Sequence, residues 1–547
     1  MSALGNALIT SIAIATCSFA SSAGMDAVLI TGGQAPGFEA GAEIVGIAPY
    51  SWADGTPAAV VAMVRRDGDL PEDAATALYR IDGAVASLVY VPEPDEEGAI
   101  ERIQSAWSIP GRDGEFGAIV SLRDDDPLMP ANLHGHAVID GSGATLLAVG
   151  FEGAGGLSHR PFGPMGKRAW TEDGGAQWWV GDLFTESLIA QRGDVAPGTD
   201  GDVFAFFGSP EFSVTAAGEV AAVVRGVVVA ADVEQPTFAH ETRGGIWRWQ
   251  DGAVELVVLE DSRVRYVGRP VINTSGEVAV PARIDDGGTA QLSAILVGSG
   301  GQLTEAFIEG LQPGGSAFFP YTSTAQDPIV IDNRGQVHFR ATLDGSPTSF
   351  NQLIISVDRF GFGGGIEVQE GSPAGSAGGA LLFVRHIADW HVRADGGIIA
   401  RVATTDMSGM RVDSRLIDTR QGVLIAEGEP VDLGDGDNAA IRSFAFGNAA
   451  AGNMGRLLPD REIDLFSVEL VDGRQAIVTP MSLCPADLSG DGVVTLADFS
   501  LYMQLWSLGV VDLADVTTTG TASGVPDGVV DLSDFSYYLT LWSAGCP

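Results

Sequence analysis

The chain has few cysteines, few basic residues and no long apolar run beyond its start, and each shortage excludes a class of protein. Three cysteines in 547 residues cannot form a disulfide framework, so the main body must fold on its own hydrophobic cores. Thirty basic residues against 71 acidic ones give a net charge of −41, which repels nucleic-acid phosphates and anionic lipid surfaces. A membrane span needs about 18 consecutive apolar residues, and no segment after residue 23 contains such a run. We therefore expect neither a nucleic-acid partner nor a membrane span.

Catalytic fingerprints are also missing. No G-x-S-x-G elbow, P-loop or dinucleotide motif occurs in a strand–turn–helix context. The 7 histidines are scattered, and only the pairs His134 with His136 and His386 with His391 come near one another. His134-x-His136 could place two imidazoles on one strand face for a metal, but without a nearby cysteine or HExxH spacing a surface loop is the simpler interpretation. The segment 435–438 (DGDN) could bind calcium weakly.

The first 23 residues have the pattern of a secretory signal. Ala3 to Ala23 (ALGNALITSIAIATCSFASSA) form an uncharged apolar stretch that ends in small residues, with cleavage expected near Ala20 or Ala23, although no Lys or Arg precedes the stretch. A lipoprotein cleavage box at Cys17 is an alternative that Thr16 fits poorly. We expect a protein that is secreted or associated with the extracellular surface.

Between residues 24 and 480 one short pattern recurs, a polar turn with a glycine that leads into a strand. NTSGEVAVPA from Asn273 and DNRGQVHFRA from Asp332 are examples. Steps of 58, 59, 61 and 59 residues separate the marker glycines Gly218, Gly276, Gly335, Gly396 and Gly455. ADGTPAAVVAMV from Ala53 and GSGATLLAVG from Gly141 fit the pattern with wider spacing. The near-constant step indicates tandem repeats.

A second recurring pattern is a two-strand hairpin with a tight glycine turn. It occurs in ALYRIDGAVASLVY from Ala77, GIWRWQDGAVELVV from Gly245, AILVGSGGQLTEAFI from Ala294 and LFSVELVDGRQAIV from Leu465. Asp-Gly and Gly-Gly pairs favour such hairpins because glycine accepts a positive φ. Several copies end in a glycine-proline segment, such as RGDVAPG from Arg192. Each repeat is therefore predicted to form an antiparallel sheet of about four strands.

These repeats predict an all-β body. One four-stranded sheet cannot bury both faces, whereas radial packing of about seven such sheets can, so we expect a β-propeller of about seven blades over residues 24–480. VLITGGQAPG from Val28 looks like the tail of a repeat without its front, as ring closure by an N-terminal strand would produce, although the last copy near Leu465 already has a hairpin of its own. An open β-solenoid or a pair of β-sandwiches is the alternative.

The body also resembles two known kinds of propeller-like sequence. TEDGGAQW from Thr171 matches the Asp-box turn of sialidase-like blades, where it is structural. Asn273, Gly276 and Val278, and separately 193–198 (GDVAPG), resemble exported tandem-repeat proteins with Asn-x-x-Gly-x-Val-Ala-Phe repeats. That resemblance implies a propeller-like extracellular domain and supplies no catalytic residues.

A calcium-type loop begins at Asp487 (DLSGDGVVTLADF). Its expected ligands alternate around Gly492 at loop position 6, which permits the sharp turn, and they are Asp487, Ser489, Asp491, the carbonyl of Val493, Thr495 and Asp498. The unit recurs 36 residues later, where DFSYYLTLWSAG after Asp534 repeats DFSLYMQLWSLG after Asp498. An insertion precedes the second loop, so Asp515 must reach back to join Asp527, the carbonyl of Val529, Asp531 and Asp534. We expect calcium to be the cofactor.

The duplicated unit over residues 484–547 resembles a dockerin, a small helical module that attaches secreted proteins to a receptor domain. Cys484 and Cys546 bracket it, and an even pair in an exported chain predicts a disulfide. Its two aromatic stripes are expected to pack as one core. Cohesin-binding dockerins present hydroxyl pairs and basic residues, whereas this chain has Leu496-Ala497 and no Lys or Arg after Arg474. The segment thus departs from the pattern of a conventional cohesin ligand. We expect a cohesin-like receptor or a cell-surface component as its partner, and a sorting or surface-retention tag is an equal alternative.

The sequence predicts a secreted non-enzymatic binding or scaffold protein, with a glycan or protein ligand for the propeller and the calcium-stabilised module for attachment. The alternative is a secreted glycoside hydrolase or polysaccharide lyase on a propeller scaffold, because the dockerin resemblance implies a link to such enzymes. An enzyme would need two carboxylates about 5–10 Å apart in the channel or on one rim.

Overall fold

A computed structural model describes most of the body and part of the C-terminal module. Numbered by position, the described residues are 25–47, 58–67, 74–82, 85–92, 99–108, 114–122, 133–151, 168–172, 174–181, 185–214, 219–230, 242–285, 287, 291–299, 302–309, 317–318, 329–343, 352–359, 364–377, 380–392, 396–419, 422–433, 437–445, 466–479, 496, 499–500, 502–503, 506 and 531–544. The proposed signal segment 1–23 lies outside this part.

The described strands form eight antiparallel sheets, which we number as blades 1 to 8. The first strand of the chain is β1 (Met25–Ile30), which belongs to blade 8. Blade 1 contains β2 (Glu43–Ile47), β3 (Ala58–Arg65), β4 (Ala75–Asp82) and β5 (Val85–Tyr90). Blade 2 contains β6 (Ile100–Ser108), β7 (Phe116–Leu122), β8 (Leu133–Asp140) and β9 (Gly143–Phe151). Blade 3 contains β10 (Arg168–Glu172), β11 (Gln177–Gly181) and β12 (Glu186–Gln191).

Blades 4 to 6 each begin with two short strands that pair with the same second strand. Blade 4 contains β13 (Val203–Phe207), β14 (Glu211–Val214), β15 (Val220–Val229), β16 (Arg243–Gln250) and β17 (Ala253–Leu259). Blade 5 contains β18 (Val264–Val267), β19 (Val271–Ile272), β20 (Val278–Asp285), β21 (Gln291–Ser299) and β22 (Gln302–Ile308). Blade 6 contains β23 (Ala317–Phe318), β24 (Val330–Ile331), β25 (Val337–Leu343), β26 (Gln352–Val357) and β27 (Gly364–Gln369).

Blades 7 and 8 carry a short extra strand before their inner strand. Blade 7 contains β28 (Pro373–Ala377), β29 (Ala380–Val392), β30 (Ile398–Thr405), β31 (Arg411–Asp418) and β32 (Gly422–Ala426). Blade 8 contains β33 (Pro430–Asp432), β34 (Asn438–Ala445), β35 (Phe466–Leu470) and β36 (Gln475–Thr479), and it is completed by β1.

The body is an eight-bladed β-propeller, so the prediction of an all-β propeller is confirmed and the count of about seven blades is corrected. Gly276, Gly335 and Gly396 lie before the second strand of a blade, and the segment from Gly141 fits the same pattern of a glycine turn that leads into a strand. In the structure that turn joins β8 to β9, the last two strands of blade 2. A glycine turn before an apolar strand looks the same at both positions, so the repeat was counted in the wrong phase and one blade was missed.

The N-terminal strand closes the ring. β1 pairs antiparallel with β36, with Asp26 opposite Thr479 and Ile30 opposite Ala476. The hairpin of β35 and β36, which the sequence indicated as the last of its repeat, therefore supplies the second and third strands of blade 8, and β1 supplies the fourth. The start of β1 also pairs in parallel with β33, which curls blade 8 into a closed five-stranded barrel. Both ends of the propeller chain are thereby fixed in one sheet.

Hydrophobic clusters lie between neighbouring blades. Leu29 and Ile477 of blade 8 pack with Ile44 and Val60 of blade 1, and equivalent clusters join blade 1 to 2 and each successive pair from 3 to 8. The strand β15 (VAAVVRGVVV) is buried on both faces because each face meets another blade. The long runs of Val, Ala and Ile are therefore the sequence signature of sheets packed face to face.

The inner strands of blades 4 and 5 break at a proline. The breaks lie at 208–210 (GSP) and 268–270 (GRP), where Gly208 N donates to Arg225 O (2.8 Å) and Gly268 N donates to Pro281 O (2.7 Å). Proline has no N–H to donate, so within a sheet it is tolerated on an edge strand. The inner strand of a propeller blade is such an edge, and it borders the central axis.

The C-terminal module is described at α1 (Leu532–Ala544) and at several positions between 496 and 506. Asp534 lies in the first turn of α1, where a carboxylate complements the helix dipole. No helix among the described residues is long and apolar enough to cross a membrane.

Candidate functional site

The aromatic residues of the C-terminal module pair reciprocally. The rings of Tyr502 and Tyr538 are parallel with centroids 3.8 Å apart, and both side chains are fully buried. Phe499 packs on Trp542 (5.6 Å between centroids), and Trp506 packs on Phe535 (5.7 Å). Phe535 and Trp542 are the duplicates of Phe499 and Trp506, 36 positions later. Each half of the module therefore contacts the other through the same set of positions, as in an isologous interface.

Two of the predicted calcium ligands meet at the start of α1. Asp531 N donates to Asp534 Oδ2 (2.7 Å), and Ser533 N donates to Asp531 Oδ1 (2.6 Å), which is the reciprocal pattern of a capping box. Trp506 Nε1 donates to the carbonyl of Asp531 (3.1 Å), so the first half of the module contacts the loop of the second. Asp534 is fully buried. Helix capping accounts for both aspartates, and the same arrangement places two carboxylates where a calcium loop ends.

The other predicted ligands and both cysteines lie outside the described residues. They are Asp487, Ser489, Asp491, Val493, Thr495, Asp498, Asp515, Asp527 and Val529, together with Cys484 and Cys546. Within the part of the chain that the structure describes, no group of three or more His, Cys, Asp or Glu could hold a metal. Asp531 and Asp534 are compatible with calcium in donor type and position, and the remaining oxygens of a full coordination shell would have to come from 487–498 and 515–529.

The predicted turn glycines of blades 5 to 7 adopt the left-handed backbone. Gly276, Gly335 and Gly396 have φ values of 77°, 79° and 76°, and each precedes the second strand of its blade. A Cβ on Gly335 would lie 2.8 Å from Oε2 of Glu277 in blade 5. Glycine is therefore required both for its backbone conformation and for space under the neighbouring blade. Gly218 and Gly455 lie outside the described residues.

Asp332 has a buried carboxylate, and its backbone carbonyl joins the turns of blades 5 and 6. Asp332 is 1% exposed and accepts hydrogen bonds from the backbone of Gln336 (2.8 Å) and from the guanidinium of Arg334 (2.9 Å). Nε2 of the fully buried His338 lies 3.5 Å from Asp332 Oδ2. Burial acts to raise the pKa of Asp332, but the interactions with His338, Gln336 and Arg334 outweigh it and hold the pKa below its ordinary value. Asn273, the counterpart in blade 5, donates to the carbonyl of Asp332 (2.9 Å).

Four glutamates that sequence reasoning missed cap strands of their own blades. Each directly follows the last strand of its blade, and its carboxylate accepts a backbone N–H from near the start of the third strand. The donor and acceptor pairs are Gly244 N to Glu260 (2.7 Å), Ser293 N to Glu309 (3.0 Å), Gln352 N to Glu370 (3.1 Å) and Ser414 N to Glu427 (3.1 Å). The sequence does contain a pattern that could have identified these glutamates. In successive repeats, a glutamate stands between an apolar strand and a Gly or Asp.

The predicted histidine pairs fall on strands. His134 and His136 lie two positions apart in β8, and His386 and His391 lie in β29. The imidazole of His386 is 53% exposed, and its Nδ1 lies 3.6 Å from Oε1 of the buried Glu370 of blade 6. The prediction that His134 and His136 lie in a surface loop is therefore wrong, because both residues lie in a strand.

In the Asp-box segment, residues 174–176 lie in the turn between β10 and β11, and Asp173 lies outside the described residues. Gly175 has a φ of 90° and its carbonyl accepts Phe207 N of blade 4 (2.8 Å). A Cβ at Gly175 would clash with the backbone of Phe207. The segment is thus a structural turn that joins two blades. In the proposed weak calcium loop at 435–438, Asp437 forms an ion pair with Arg474 (2.8 Å), and 435–436 lie outside the described residues.

One protein family matches the chain, and no curated protein does. The model of a family of unknown function (DUF7453) matches residues 175–451. Among solved structures, an ulvan lyase of polysaccharide lyase family PL25 aligns at 9% identity and a TM-score of 0.29, over 68% of this chain and 96% of its own. The β-propeller domain of the Trilobed protease from Pyrococcus furiosus aligns at 11% and 0.31, over 74% and 99%. Sqt1 of Chaetomium thermophilum aligns at 11% and 0.33, over 80% and 98%. Superpositions this loose carry no argument about function.

Proposed function

This chain belongs to the DUF7453 family of unknown function, and we propose that it is an exported, non-enzymatic binding or scaffold protein. In this proposal the propeller presents a recognition surface. The C-terminal dockerin-like module, stabilised by calcium, attaches the protein to an extracellular assembly or surface through a cohesin-like receptor or another surface component.

The reciprocal packing of Tyr502 on Tyr538 carries the proposal. Two loop–helix units with a 36-residue period bury their equivalent aromatic positions against each other. Such a core makes one small module out of the duplication, separate from the inter-blade clusters of the propeller. A separate module beside a closed propeller is the architecture expected of a tethered binding protein.

Calcium would be held by the carboxylate, hydroxyl and carbonyl oxygens of the two loops, Asp531 and Asp534 among them, and would neutralise their mutual repulsion. The segment after Arg474 contains no Lys or Arg, so its own side chains supply no neutralising cation. Folding of the module should therefore be coupled to calcium binding. Asp531 and Asp534 then serve twice, as helix caps and as part of the ligand set.

The direction of the last strand determines at which end of blade 8 the chain leaves the propeller. β36 ends at Thr479, opposite Asp26 at the start of β1, and at the end of the sheet away from the 471–474 turn. In blade 8, the turn between the second and third strands lies at one end of the sheet. The C-terminal module follows from the opposite end. In the other blades, the equivalent turns and the blade-to-blade connections share one end of the propeller, which suits a recognition surface.

Three of the buried carboxylates in the described body pair with arginines, which is consistent with structural roles for these three. Asp413 forms a bidentate ion pair with Arg415, Asp332 pairs with Arg334, and Glu211 pairs with Arg269. Catalysis by a carboxylate pair requires one group to be held protonated and aimed at a substrate. Carboxylates engaged with arginines serve packing instead.

A pull-down and a glycan-array screen with residues 24–547 test the proposal. Both are run with calcium and with chelator, and every glycan that binds is analysed for products. Capture of a surface component that is lost with chelator, together with glycan or protein binding without turnover, is the expected result. Cleavage of any polysaccharide would replace the proposal with the enzyme alternative.

A further inference from the structure

The inner strand of blade 7 exposes two consecutive basic side chains. β29 departs from regular pairing with β30 at two bulges, one between Val384 and His386 and one between Ile387 and Asp389. Val384 and Ile387 are buried, whereas Arg385 and His386 between them are exposed. A bulge places neighbouring side chains on one side of a strand and commonly re-aims them at a functional surface. Residues 380–383 of β29 pair with the short strand β28. The rest of β29 is the innermost strand of blade 7.

The carboxylate of Glu370 lies beside the Nδ1 edge of the His386 imidazole. Glu370 is 5% exposed, and its Oε2 accepts Gln352 N (3.1 Å) while its Oε1 lies 3.6 Å from His386 Nδ1. With Nδ1 directed at this carboxylate, Nε2 is the nitrogen that can meet a ligand. The carboxylate is held by its own blade, so it is a stable support for the ring.

The equivalent glutamate of blade 4 has a different environment. Oε1 of Glu260 accepts Val267 N (3.1 Å) and lies 3.7 Å from Arg225 Nη2. There the second oxygen is engaged by the backbone of the next blade and a half-buried arginine. At the junction of blades 6 and 7 the same position supports an exposed imidazole instead. A departure from a structural repeat of this kind is expected where a site has been added to the scaffold.

Two arginines lie near His386, together with the carboxylates of Glu370 and Asp389. Arg385 adjoins His386 in sequence, and Arg340 of blade 6 reaches β29, with Nη2 3.5 Å from the carbonyl of Ala388. The chain carries a net charge of −41, so two consecutive basic residues on an inner strand oppose the trend of the whole chain. Positive side chains attract and orient anions.

We propose that Arg385 and His386, with Arg340 beside them, form an anion-binding site on the axis side of blade 7 that takes an acidic sugar. The guanidinium of Arg385 can hold a carboxylate through two parallel hydrogen bonds. His386 Nε2 then exchanges a hydrogen bond with a hydroxyl of the same sugar. An acidic sugar offers both groups side by side, whereas an inorganic anion lacks the hydroxyl. The choice of a polysaccharide as the source of that sugar rests on the proposed extracellular function.

Calorimetric titration of the full chain with polygalacturonate tests the site, with dextran as a neutral polymer and sodium sulfate as a small anion. All titrations contain chelator, so that a failure of the calcium module cannot change the result. The variants are Arg385→Ala and His386→Gln, and Arg442→Ala is the matched control. Arg442 lies on the inner strand of blade 8 and is exposed, but it pairs with Glu469 (3.0 Å). Thermal melts establish that each variant is folded.

We expect polygalacturonate to bind, dextran not to bind, and Arg385→Ala to weaken binding about tenfold, the size of one charged hydrogen-bonded contact. His386→Gln should weaken binding by less, and Arg442→Ala should stay within about twofold of the unaltered protein. Equal losses in Arg385→Ala and Arg442→Ala would show diffuse electrostatics and overturn the site. Absence of polygalacturonate binding would also overturn it. Displacement of the polymer by sulfate at the same charge concentration would overturn the assignment to an acidic sugar.

Discussion

Tyr502 and Tyr538 stack in parallel at 3.8 Å and are related by the 36-residue period of the C-terminal duplication. The same period relates the flanking pairs Phe499 with Trp542 and Trp506 with Phe535. The two halves thus form one core with an internal two-fold relationship. That core joins the two halves of the duplicated segment through buried aromatic rings.

Truncation of Tyr538 should unfold the C-terminal module and leave the propeller intact. Tyr538→Ala removes a fully buried ring from the centre of the core, and losses of about 3 kcal/mol or more are typical of such changes. Leu532→Ala is the control, because Leu532 lies in the same helix and is 68% exposed. NMR dispersion of the module should collapse in Tyr538→Ala only. Similar dispersion in both variants would show that the stack does not hold the module together.

Removal of β1 should open the ring. A chain that begins at residue 32 lacks the fourth strand of blade 8 and leaves β36 as an unpaired edge, which is prone to self-association. We expect a lower melting temperature and concentration-dependent oligomers in light scattering. A synthetic peptide of residues 25–36 should restore both properties, and the same peptide with Leu29→Asp should not, because Leu29 is 2% exposed in the cluster with blade 1. A monomeric, fully stable truncated chain would contradict closure by β1.

Gly335 should be more sensitive to alanine than another glycine with the same backbone. Gly335 and Gly409 have φ values of 79° and 81°, so alanine costs about 1–2 kcal/mol at either from backbone strain. Only at Gly335 would the new Cβ approach Glu277 at 2.8 Å, while at Gly409 nothing lies within 4 Å. Urea unfolding should show the larger loss for Gly335→Ala. Equal losses would mean that Glu277 moves aside freely.

Acid should destabilise the propeller partly through Asp332. Its pKa is lowered in the folded state, so its stabilising contribution is present above the unfolded pKa of about 4 and is lost as the pH falls through the lower folded value. Asp332→Asn should cost about 1–3 kcal/mol at neutral pH, since buried hydrogen bonds to charged partners are lost, and should flatten the fall in stability below about pH 4. Urea unfolding at pH 7, 4 and 3 measures both effects.

Asp140→Asn is the control for that pH series. Asp140 also has a lowered pKa, held there by Ser142 and Gly143, but it lies at an exposed turn. It should change the acid profile less than Asp332→Asn does. A steeper acid dependence in Asp332→Asn than in the unaltered protein would contradict the assigned sign.

The repeat architecture could be predicted from the sequence because it depends on local chemistry. Gly276, Gly335 and Gly396 mark turns that only glycine adopts easily, and VLITGGQAPG indicated the closing strand. The number of blades was missed because the turn at Gly141 has the same local pattern in a different place in its blade. The capping glutamates and the exposure of His386 depend on which strand lies opposite and on a bulge in β29, and neither is encoded in a short sequence window.

Scanning calorimetry of residues 24–547 with calcium and with chelator tests the central claim most directly. The account predicts two transitions, of which the smaller belongs to the C-terminal module, disappears or shifts to much lower temperature with chelator, and returns when calcium is restored. The larger propeller transition should not move. A small transition that keeps its temperature in chelator, or a single transition that shifts as a whole, would contradict a calcium-stabilised module beside an independent propeller.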